Sequence, residues 1–155
     1  MQHLYYPYEK FLSDTKRLTQ IIDWKFDAII AIARGGLSLA QLLGEYYDLR
    51  AVYSINTIGY DDTTKLEDVK VFNTPELKDV KEVLVVDDIV DSGDTVIEVL
   101  KVLEKVYPDV TFKTASLFYK KSAKIAPNWY IHEAKGWIDF FWTVDMQKND
   151  NITGK

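Results

Sequence analysis

Val83-Leu84-Val85-Val86-Asp87-Asp88-Ile89-Val90-Asp91-Ser92-Gly93-Asp94-Thr95 sets four aspartates within eight positions, directly behind four aliphatic residues. An unbroken aliphatic run of that length reads as a strand buried on both faces. Beyond the acids, Val96, Val99, Leu100, Leu103 and Tyr107 fall on one helical face, and Pro108 stops the helix. The aspartates therefore stand at a strand-to-helix junction. Their mutual repulsion serves no packing purpose. In open α/β sheets ligands collect beyond the carboxyl ends of the strands, so the cluster marks a candidate site.

The pattern extends in both directions. Phe11, Thr15, Leu18 and Ile22 recur at helical spacing between Tyr8 and Lys25, with Leu12 and Ile21 widening the stripe. Ala28 to Ala33 reads as a short buried strand closed by Gly35-Gly36, and Leu37 to Tyr47 as a second helix. A strand follows from Ala51, and the polar stretch Tyr60 to Asp68 predicts a mobile loop. Thr111 to Lys120 predicts a further strand, Asn128 to His132 a short one, and Gln147 to Lys155 a frayed tail. Strands alternating with helices predict an α/β domain with a mainly parallel twisted sheet. The whole chain, 1–155, is expected to form one domain.

Bulk properties exclude several classes. With 47% hydrophobic and 28% charged residues the chain has a folded profile, and no aliphatic run approaches membrane-spanning length. A net charge of −5 argues against broad nucleic-acid binding. The absence of cysteine removes thiolate zinc and thiol nucleophiles, and the N-terminal residues lack the order of a secretory signal, so a cytoplasmic location is expected.

The junction has a definite chemistry. A helix N-terminus presents unpaired amide hydrogens and about half a positive charge, which attracts a phosphate. Gly93 allows a close backbone approach, and the hydroxyls of Ser92 and Thr95 can donate to phosphate oxygens. Asp94 must face solvent or cap the helix, since an inward carboxylate would repel the ligand. Asp87 and Asp88 suit vicinal hydroxyls or a divalent cation, and Asp91 is placed to take a proton.

The thirteen residues resemble the phosphoribosyl-diphosphate motif of type I phosphoribosyltransferases. Two other stretches are similar to the 6-oxopurine branch, bacterial xanthine-guanine and hypoxanthine-guanine enzymes included: Arg34-Gly35-Gly36 and Trp137-Ile138-Asp139-Phe140-Phe141-Trp142. The resemblance implies the type I fold, with a small hood at about residues 120–145. It implies a purine salvage transferase that joins a phosphoribosyl group to guanine, xanthine or hypoxanthine and yields GMP, XMP or IMP with pyrophosphate. Asp87 and Asp88 would bind the ribose hydroxyls, Asp91 would be the general base, and Asp91, Ser92, Gly93, Asp94 and Thr95 would hold the 5-phosphate. Arg34, Gly35 and Gly36 would hold pyrophosphate. Lys120 would read the 6-oxo group, Trp137 would stack on the base, and Ile138 and Asp139 would meet its 2-substituent. Mg²⁺ is implied, with Asp88 and Asp139 as candidate ligands, and so is a homo-oligomer, dimer or tetramer.

Gly59-Tyr60, where the family often has Ser-Tyr, and Asp94, where small or basic residues are common, depart from the pattern. A receiver domain also carries an acid pair after a strand, but on its first strand. A ligand-sensing regulator on the same fold remains the alternative to an enzyme. His3 and His132 lack partners at ligand spacing and receive no role, while Tyr5, Tyr6 and Tyr8 are expected to pack, with a subunit interface as one place to do so.

Overall fold

The structure, a computed structural model, describes residues 2–59 and 69–147. The expected loop at 60–68 and all of the expected tail except Gln147 lie outside the described residues. The chain runs β1 (His3–Tyr6), α1 (Tyr8–Ile21), β2 (Ala28–Ala33), α2 (Leu37–Tyr47), β3 (Val52–Gly59) and β4 (Val69–Phe72). It continues as β5 (Glu82–Val90), α3 (Asp94–Val106), β6 (Thr111–Tyr119), β7 (Trp129–Glu133), β8 (Trp137–Phe140) and the one-turn α4 (Phe141–Val144). Six strands form one sheet in the order β4-β3-β2-β5-β6-β7, parallel except for the β3–β4 pair. β1 and β8 form a separate two-stranded parallel sheet. This is the expected α/β architecture. Among the described residues no helix is long and apolar enough to cross a membrane.

Strand alternation divides the core in two. Leu84 and Val86 face one side with Ile29, Ala31 and the buried residues Phe11, Leu18, Leu39, Ala40 and Leu43 of α1 and α2. Val83 and Val85 face the other with Ile30, Ile32 and the α3 residues Val96, Val99 and Leu103. Burying each such side chain contributes about 1.5–3 kcal/mol, so both faces are strongly specified. β5, central and buried from Val83 to Val86, is the strand the aliphatic run predicts.

α1 differs from its expected form. It stops at Ile21 because Ile22 turns extended, with its N–H on the Leu18 carbonyl, and Ile22 and Phe26 then enter the core. Ile21 is exposed, whereas Asp14 is 1% exposed. Asp14 accepts hydrogen bonds from the Tyr6 hydroxyl at 2.8 Å and from His132 Nε2 at 2.7 Å, with Arg17 Nη1 3.4 Å away. Burial, then the bond to Asp14, drives the Tyr6 phenol pKa far above its usual value. A buried acid is tolerated only with such partners. It ties β1 and β7 to α1. Tyr6 packs as expected, edge-on to Phe118 and Phe140, while Tyr5 and Tyr8 stay half exposed.

Candidate active site

β5 is longer than its aliphatic run. It pairs with β2 only from Val83 to Val86, and with β6 as far as Val90. Asp87 and Asp88 thus belong to the strand, at the point where β2 has stopped pairing with it. The turn Arg34–Gly36 fills the vacated place. The Ala33–Arg34 peptide is cis. A Cβ on Gly35 would lie 2.6 Å from Asp88 Oδ2, and one on Gly36 would strike the Val86 carbonyl oxygen, so only glycine lets this turn reach the acids.

Side-chain alternation skips here on both paired strands. Ile89 joins the face of Leu84 and Val86, and Val90 that of Val83 and Val85. On β6, Leu117 and Phe118 share one face. The amides of Asp88 and Ile89 turn to the side-chain oxygens Asp87 Oδ1 (2.9 Å) and Asp88 Oδ1 (2.7 Å). Irregular pairing of this kind re-aims side chains beside sites. Burial, then the neighbouring Asp88 charge, pushes the Asp87 carboxyl well above the usual range. Burial also raises Asp88. Two packed acids with no ion-pair partner among the described residues fit a divalent cation or hydroxyl donors.

The following loop carries Gly93 at the N-cap of α3 with φ +89°, a conformation that disfavours any side chain. Gly93 has no side chain to cap the helix, and the Asp94 amide donates to Ser92 Oγ at 3.2 Å. Asp94 is the first residue of α3, with its side chain 22% exposed. It pairs with Lys124 Nζ at 2.7 Å, and that contact, with a smaller contribution from Ser92, lowers its pKa. Asp91 pairs with Lys120 Nζ at 2.9 Å.

Asp91 and Lys120 line a cleft of about 260 Å³ with Ile89, Trp137, Ile138 and Asp139. The structure therefore brings the candidate base, the candidate 6-oxo reader and the candidate stacking residue together. Arg34, Gly35 and Asp88 line a second cavity of about 560 Å³, closed on one side by Trp142, Thr143 and Met146 of the hood end. Asp88 lines the second cavity and Asp139 the first. The Asp139 carboxylate lies 3.1 Å from His3 Nδ1, and no group of three metal-capable side chains occurs among the described residues.

The hood also differs from its expected extent. It is built from both chain ends, β1 beside β8, with α4 continuing from it. Residues 120–128 instead connect β6 to β7, with the Lys124 amide on the Ser92 carbonyl. The Trp137 amide donates to the Gln2 carbonyl at 2.8 Å, and a Cβ on Gly136 would collide with the same oxygen. Gly136→Ala should destabilise the protein by about 1–3 kcal/mol as β1 is displaced. Thermal denaturation measures this, and an unchanged Tm would mean that β1 slides aside freely.

Sequence reading missed His3 and His132, because their acidic partners lie 136 and 118 residues away in the chain. Asp14, three residues after Phe11 on the buried face, is the one signal that could have exposed the second pair. Lys124 was missed because an exposed lysine in a loop is unremarkable until the fold sets it on Asp94.

A sequence profile for the phosphoribosyl transferase domain matches residues 9–149. A xanthine-guanine phosphoribosyltransferase of Roseobacter denitrificans is 30% identical over 129 residues, 77% of this chain and 70% of that protein. Among solved structures, the Helicobacter pylori xanthine-guanine-hypoxanthine phosphoribosyltransferase is 46% identical, with TM-score 0.86 over 93% of this chain and 96% of that one. A Neisseria gonorrhoeae protein with bound ppGpp is 31% identical, with TM-score 0.75 over 92% of this chain and 89% of that one.

Proposed function

Since the chain belongs to the phosphoribosyltransferase family, we propose that it is the purine salvage enzyme that transfers a phosphoribosyl group to a 6-oxopurine. Guanine, xanthine and hypoxanthine are the substrates, and GMP, XMP and IMP the products. One observation carries this reading: Asp91, Lys120, Trp137 and Ile138 meet in one cleft. That cleft opens beside the loop that leads into α3.

The residues divide the work by charge. Amides and hydroxyls of Ser92 to Thr95 hold the 5-phosphate, with α3 behind them. Arg34 and the close-set Gly35 and Gly36 hold the pyrophosphate, and Asp87 and Asp88 accept from the ribose hydroxyls. In the transfer, the bond from the anomeric carbon to pyrophosphate oxygen breaks, and the bond to purine N9 forms. Negative charge leaves with pyrophosphate and is met by Arg34 and backbone donors. The sugar becomes cationic between carboxylates. Asp91 takes the proton that the base must lose. Lys120 leaves Asp91 for the 6-oxo oxygen, which frees the carboxylate to act. Trp137 stacks on the ring, while Ile138 and Asp139 face the 2-substituent.

Mg²⁺ fits the Asp87–Asp88 pair, whose carboxyls are raised by burial and have no ion-pair partner among the described residues. When bound with ligand oxygens it would neutralise charge on the leaving pyrophosphate. The enzyme is read as cytoplasmic and as a homo-oligomer, the second part supported by the exposed Leu4, Tyr5 and Tyr8 on and next to β1.

The test is a base panel with phosphoribosyl diphosphate and Mg²⁺, scored for nucleotide product. Turnover with at least one 6-oxopurine is expected, and none with any of the three would overturn the assignment. The ppGpp-bound relative favours a second reading, a sensor without turnover, and the same assay separates the two. Lys120→Ala should raise the KM for the base by about tenfold or more, the cost of losing a charged hydrogen bond. KM for phosphoribosyl diphosphate should hardly move. An unchanged base KM would take Lys120 out of base recognition.

A further inference from the structure

An ionised carboxylate in the first turn of α3 conflicts with a phosphate bound at that same turn. Both are anions, and both are drawn to the same helix end. Asp94 is such a carboxylate. The segment from Lys120 to Ile125 resolves the conflict. It lies along the loop at several points: the Lys120 amide donates to the Val90 carbonyl at 2.9 Å, and the Lys124 amide to the Ser92 carbonyl at 2.9 Å. Ile125 Cγ2 approaches within 3.1 Å of where a Gly93 side chain would begin. The segment thus packs directly on Gly93, which is buried beneath it. From the position so fixed, Lys124 Nζ reaches Asp94 Oδ1 at 2.7 Å.

We propose that Lys124 is a positioning residue for the phosphate loop, holding the Asp94 carboxylate aside and cancelling its charge so that the helix end stays open to the 5-phosphate. The proposal rests on the reading of Asp91 to Thr95 as a phosphate cradle. Lys124 acts through Asp94 and does not touch the ligand. The lysine side chain is 60% exposed, so its replacement leaves the core intact.

Ribose 5-phosphate, titrated calorimetrically at low ionic strength, reads the cradle whether or not ribose is transferred. Lys124→Ala should weaken its binding about three- to tenfold, the range set by leaving one charge unscreened beside another near a surface. KM for phosphoribosyl diphosphate should rise in parallel, with kcat little changed. Asp94→Asn keeps the backbone amide of the cradle and removes a negative charge beside the bound anion, so it should bind more tightly than the wild type. The double variant Asp94→Asn/Lys124→Ala should return close to wild-type affinity, because the repelling charge has gone with its partner.

Unchanged binding in Lys124→Ala overturns the proposal. So does a double variant as weak as Lys124→Ala, the result expected if the lysine met the phosphate itself. A wild type that does not bind ribose 5-phosphate overturns it too. A wild type that binds the sugar phosphate and makes no nucleotide instead sinks the transfer reading, and the double-variant comparison still decides the role of Lys124.

Discussion

Asp91→Asn should lower kcat by about 10²- to 10⁴-fold, the usual contribution of a positioned general base, and leave KM for phosphoribosyl diphosphate near its wild-type value. Asparagine keeps the size and hydrogen-bonding shape of the side chain but cannot hold the proton. Asp91 stands just past the end of β5, in the cleft with Trp137 and Ile138, and its partner Lys120 is the residue proposed to turn toward the base. The proposed phosphate cradle uses neighbouring amides and hydroxyls, which the substitution leaves in place. Steady-state kinetics with guanine as acceptor checks the split. A variant with near-normal kcat would remove Asp91 from proton transfer.

Asp87→Asn should stabilise the free protein while lowering kcat/KM by about 10- to 100-fold, the worth of a charged hydrogen bond to a ribose hydroxyl. Burial lifts the Asp87 carboxyl, so the folded chain keeps that proton to higher pH than the unfolded chain does. The stability it contributes is complete below the ordinary carboxylate range and is lost as pH rises through the lifted value. Above the ordinary carboxylate range the buried acid is a cost, and asparagine removes it. Tm should rise by about 2–4 °C for each kcal/mol recovered in a domain of this size. The variant's stability should also fall less steeply with pH above the ordinary carboxylate range. A Tm at or below wild type would show that the acid pair carries no penalty in the free protein.

The main sheet was largely legible because its strands announce themselves locally. Ala28–Ala33 and Val83–Val86 are short, apolar and bounded by glycine or acid, and α2 and α3 have clear apolar faces. The extension of β5 through Asp87 and Asp88 was not legible. Aspartate disfavours strands, and only pairing with β6 overrides that preference. β4 and β8 escaped for a related reason: four residues each are too few for periodicity to register.

The thirteen residues from Val83 to Thr95 determined by themselves that acids would stand at a strand-to-helix turn with Gly93 at the helix N-cap. Local physics suffices there, since strand, turn and helix are contiguous and each is specified by its own residues. Tertiary structure alone decided that His3 would hold Asp139, that His132 would hold the buried Asp14, and that Lys124 would sit on Asp94. Those partners are between 30 and 136 residues apart in the chain. Charges that far apart along the chain have no mutual preference until sheet order and register bring them within a few ångströms.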